Sequence, residues 1–95
     1  MAHEIVWTLR DKAALQREIE LLFARAPERE RVVPLLLGRF CEDLQLHPVE
    51  WPTSAQVPSE HTWTFGRISV RYRLLPSAQT VEILSVTAHH ERNVA

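Results

Sequence analysis

The chain has 95 residues, enough for one domain with one modest core. Its 11 basic and 12 acidic residues leave a net charge of −1, which excludes a generally cationic nucleic-acid binder and confines any such role to a local patch.

In chain order, His3 to Trp7 alternates, with His3, Ile5 and Trp7 on one side and Glu4 and Val6 on the other, the pattern of a short strand. Thr8 with Asp11 three residues on fits a helix N-cap and an acidic first turn. Ala14, Leu15, Ile19, Leu22, Phe23 and Ala26 then form one helical stripe, and Pro27 ends this helix or opens the next. Glu28 to Leu46 also reads as helix, with Val32, Val33, Leu36, Leu37, Phe40 and Leu44 on one face. Pro34 removes a hydrogen bond beyond the first turn, so the helix either kinks there or begins its regular part there, with the kink preferred. Gly38 offers close packing against the first helix. Cys41, the lone cysteine, reads as a small core residue and excludes a disulfide framework.

His47 to Glu60 is a stiff loop carrying Pro48, Pro52 and Pro58, with Trp51 placed to plug the edge of the core. His61 to Phe65 reads as a short strand, Gly66 as a turn, Ile68 to Leu75 as a long strand and Thr80 to Thr87 as the last. In the long strand Ile68, Val70, Tyr72 and Leu74 face one way, and Arg67, Ser69, Arg71 and Arg73 the other. A turn at Pro76 to Gln79 pairs Leu75 with Thr80, which sets Arg73 opposite Glu82, Tyr72 opposite Ile83 and Arg71 opposite Leu84. No apolar run is long enough to cross a membrane and no signal peptide is evident, so an intracellular, cytoplasmic protein is expected.

The element order is β-α-α-β-β-β. Two helices cannot bury their stripes alone, so they are expected to pack on one face of a small antiparallel sheet, an α+β architecture forming one domain over residues 1–95. The opposite face would carry the arginines. That face is either a solvated or homodimer surface, or a site for an anionic partner.

This order resembles the RelE/ParE superfamily of type II toxin–antitoxin toxins. The opening HEIVWT is similar to the family's first strand, LQLHP (Leu44 to Pro48) to the end of its second helix, and RYRLLPSAQTVEILSV (Arg71 to Val86) to its signature hairpin. The resemblance implies an antitoxin protein as partner and one of two targets. RelE-like members cleave messenger RNA on the ribosome, whereas ParE-like members poison DNA gyrase without nuclease action.

For cleavage, the resemblance points to His89, His90, Arg67 and Arg71 as candidate catalytic residues, with His89 or His90 as general acid or base. Arg67, Ser69, Arg71, Arg73 and Arg92 are the candidate RNA- or partner-binding set. The match is incomplete. The family's strand arginine falls on Ser69, its terminal tyrosine on Ala95, and its two preceding lysines around Thr62 and Thr64. The alternative implied is a non-enzymatic ParE-like or degenerate binding module. No cofactor is expected and no metal site, since adjacent histidines on an extended chain point apart and neither Cys41 nor His61 has ligand spacing to them.

Overall fold

The computed structural model describes residues 3–75 and 79–89. It comprises β1 (Glu4–Val6), α1 (Leu9–Leu22), α2 (Arg29–Leu46), a 3-10 turn (Pro48–Glu50), β2 (Glu60–Phe65), β3 (Ile68–Leu75) and β4 (Thr80–Ala88). The sheet order is β1-β4-β3-β2. Strands β2, β3 and β4 are antiparallel, but β1 pairs parallel to β4, from Glu4 opposite Thr80 to Val6 opposite Glu82. The expected all-antiparallel sheet is therefore corrected to a mixed one. A first strand separated from β4 by both helices enters the sheet through a crossover, which permits the parallel direction.

The Thr8 hydroxyl caps α1, accepting the Asp11 N–H at 3.0 Å. The helix ends at Leu22, a turn earlier than its apolar stripe, and Ala26 is held by a hydrogen bond from its N–H to the Phe23 carbonyl. The α2 helix runs unbroken through Pro34, so the start at Pro34 is excluded. Pro34 and Glu30, whose carbonyl loses its helical donor, are both exposed, so that carbonyl is open to solvent. Gly38 also faces solvent, and a Cβ placed on it would meet nothing within 4 Å, so it does not serve packing against α1.

One core joins the helices to the sheet: Leu15 and Ile19 from α1, Val33, Leu36, Phe40 and Leu44 from α2, and Trp63, Val70, Tyr72, Val81 and Ile83 from the strands. All of the predicted inward residues of β3 are buried. Phe40 sits at its centre, stacked on Trp7 at 5.4 Å and edge-on to Trp63 at 4.9 Å. Cys41 packs against this cluster, and burial raises its thiol pKa, with Lys12 opposing the shift.

The β2–β3 connection is the two residues Gly66 and Arg67, since Phe65 pairs with Ile68. Gly66 adopts φ +56° and Arg67 has no positive φ, the pattern of a turn with glycine at its first central position. The β3–β4 register holds Leu75 opposite Thr80, Arg73 opposite Glu82 and Tyr72 opposite Ile83, as the alternation predicts. Beyond that a bulge intervenes, and Arg71 lies opposite Ser85 rather than Leu84. An extra residue on one strand is invisible to a simple count back from the turn.

Candidate functional site on the open sheet face

The outward face of the sheet is polar because its strands alternate. β3 presents Ser69, Arg71 and Arg73; opposite them β2 presents Thr64, Thr62 and Glu60, and β4 presents Thr87, Ser85 and Glu82. No helix covers these side chains, because the buried residues of both helices all belong to the core on the other face. Arg71 and Arg73 are about 7 Å apart on one strand face. Each is paired: Arg71 Nε lies 3.5 Å from Glu60 Oε1, and an Arg73 guanidinium nitrogen lies 3.8 Å from Glu82 Oε1. The arginine row is thus interleaved with carboxylates. Those carboxylates leave the row little broad positive potential.

Arg67 stands apart from that row. It lies in the turn before β3 and lines a cleft with Glu18, Leu21 and Leu22 of α1. His89, exposed just past β4, is brought to the same end, its N–H donating to the Arg67 carbonyl at 2.9 Å. Arg67 and His89 are therefore neighbours. Arg71 is four residues further along, about 13 Å away by strand rise. His90 and Arg92 lie outside the described residues. Among the described residues, no group of three or more His, Cys, Asp or Glu side chains converges as a metal site. No helix among the described residues is long and apolar enough to cross a membrane.

A second polar cluster escaped the sequence reading. The His61 Nδ1–H donates to the Trp51 carbonyl at 2.7 Å, which fixes its tautomer, and its ring stacks on Tyr72 at 5.4 Å. The Tyr72 hydroxyl donates to the Pro48 carbonyl, and Trp63 Nε1–H donates to Asp43 Oδ2 at 3.1 Å. Burial, reinforced by the negative charge of Asp43, pushes the Tyr72 phenol well above its usual range. The bonds to Trp51 and Pro48 hold the 47–60 loop against the sheet, the bond to Asp43 ties β2 to α2, and Trp51 packs on Trp63 as the expected edge plug. The signal was present in the inward alternation of His61 and Trp63. It lacked the loop carbonyls, which no side-chain pattern encodes.

The fold is RelE-like. Compared with solved structures, the chain matches one chain of the toxin–antitoxin complex RelBE2 from Mycobacterium tuberculosis, with a TM-score of 0.61 and 18% identity. The match covers 94% of this chain and 100% of that one. No protein-family model and no curated protein matches.

Proposed function

We propose that this protein is the toxin-like component of a type II toxin–antitoxin system, inhibiting growth through its open sheet face and neutralised by a partner antitoxin. What carries the reading is the RelE-like fold over nearly the whole chain, combined with an uncovered sheet face bearing Arg71 and Arg73. Ser69, Arg71 and Arg73 are the proposed contacts to target or partner. Arg67 and His89, with His90 and Arg92, are the proposed second group. Ribosome-bound messenger RNA and DNA gyrase are the candidate targets.

The test is growth of a bacterial host expressing either wild type or the Arg67/Arg71/Arg73→Gln triple variant at matched folded levels. Arrest by wild type alone, relieved by a co-expressed antitoxin, is expected. Equal growth of both overturns the reading.

The ion pairs at Arg71 and Arg73 favour a second version, a ParE-like or degenerate module that binds without cleaving. The separation of His89 from Arg71 adds to it, since a general acid must reach the same phosphate that the cations hold. This version expects no RNA cleavage with or without ribosomes. Cleavage that His89→Ala abolishes counts against it.

A further inference from the structure

We infer that a second copy of this chain docks on the solvent face of α2, the two α2 helices lying antiparallel about a two-fold axis that passes between Phe40 and Cys41. The inference goes beyond the toxin reading and does not rest on it.

The residues that α2 buries in the core are Val33, Leu36, Phe40 and Leu44. Turned away from them is a stripe of Leu35, Arg39, Glu42 and Leu46, which spans about 60° of the helix surface. All four are exposed, Leu35 by 68% and Leu46 by 53%. Two exposed leucines alone would need no explanation. The order and spacing of the four carry the inference. The steps between them are four, three and four residues, so Leu35 and Leu46 are equidistant from the midpoint of the stripe, and so are Arg39 and Glu42. A two-fold axis through that midpoint sets leucine against leucine and arginine against glutamate, each pair occurring twice. A parallel pair of helices would instead set like charges side by side. Among the described residues neither Arg39 nor Glu42 has an ion-pair partner, so both are available to a second copy.

The surface around the stripe has the same symmetry. The shallow groove over this face is lined also by Pro34, Gly38, Asp43 and His47. Pro34 and His47 are equidistant from the midpoint, as are Gly38 and Asp43. Nothing lies within 4 Å of where a Cβ on Gly38 would sit. The second helix can therefore come close there, with Asp43 of the other copy beside the glycine.

The stripe is about 17 Å long. Two helices about 8–10 Å apart over that length make a small interface, so the association is weak, with a Kd of order 100 µM. The helices cover one side of the sheet and the β3 arginines lie on the other. Pairing through α2 thus leaves both arginine faces open and turned outward.

The test is sedimentation equilibrium of the whole chain up to about 1 mM, ten times that Kd. Wild type is expected to dimerise. Arg39→Glu and Glu42→Arg each set like charges opposite one another, and each should weaken self-association by about tenfold. Arg39→Glu with Glu42→Arg in one chain restores both pairs and should return it to about the wild-type value. The two single variants, mixed, should bind each other, since the glutamates of one then face the arginines of the other. Leu35→Gln with Leu46→Gln should leave a monomer. All four positions are exposed, so circular dichroism should show each variant folded. A wild type that stays monomeric throughout overturns the inference. So does a dimer indifferent to the single reversals, or one that the double exchange fails to restore.

Discussion

Tyr72 is the only tyrosine, and it is fully buried between the His61 ring and the loop carbonyl it bonds. Its raised pKa means that the folded protein keeps this proton at a pH where the unfolded chain, with an ordinary value near 10, has lost it. The contribution is therefore fully present below about pH 10 and declines as pH rises further, by up to about 1.4 kcal/mol per unit. Urea unfolding from pH 8 to 11.5 should show this fall, and Tyr72→Phe should remove it. A decline that sets in nearer pH 9 belongs to Cys41, whose shift has the same sign. At neutral pH Tyr72→Phe should cost about 1–2 kcal/mol, because it strands a buried carbonyl. Glycines give an opposed pair of outcomes. Gly38→Ala, in an exposed helix interior with open space around it, should stabilise by about 1 kcal/mol. Gly66→Ala should destabilise by a similar amount, because φ +56° disfavours a Cβ even though Leu22 leaves it room. Thermal denaturation of the two variants separates the cases. The sequence distinguished neither glycine's surroundings, since helical periodicity places Gly38 on the cylinder but says nothing of what lies opposite.

At the scale of elements, local chemistry and long-range pairing contribute differently. Thr8→Ala should cost α1 about 1 kcal/mol by freeing the Asp11 N–H, measurable by chemical denaturation. The Arg73–Glu82 pair is half exposed at 3.8 Å, so a double-mutant cycle with Gln at both positions should give a coupling under about 1 kcal/mol that fades with added salt. Both interactions were legible in the sequence, the first from spacing, the second from counting outward from the turn. The count failed at Arg71, where the bulge inserts Leu84. The helix limits failed similarly: the apolar stripe continues to Ala26 while the helix stops at Leu22, because Phe23 packs on the core from the connecting turn. A hydrophobic residue marks burial, not the backbone state that achieves it.

For the molecule as a whole, the division into two helices and a late hairpin could be read from periodicity, and so could the buried residues of both helices and of β3. The place of β1 could not. Nothing in three alternating residues says which strand they join or in what direction, because that choice depends on how far the helices carry the chain. The candidate site shared this limit. Alternation placed Arg71 and Arg73 on one face and the count from the turn set Arg73 opposite Glu82, but the pairing of Arg71 with Glu60 required the register of β2 against β3. Arg67, read into the same row, lies instead at a turn beside α1.

The partnership of β1 with β4 also sets a timetable. Glu4 meets Thr80, 76 residues later (80 − 4), so the first strand has no partner strand to join until β4 has been made. Translation adds about 5–20 residues per second, which leaves the N-terminal segment waiting several seconds. Contacts between such distant parts of a chain are slow to form. Chains ended before Thr80 should therefore lack cooperative unfolding by circular dichroism, with the helices lacking the sheet that buries their apolar stripes. A protein of this topology closes its sheet only once β4 has been made, a delay during which a partner already present has the first opportunity to meet the unpaired first strand.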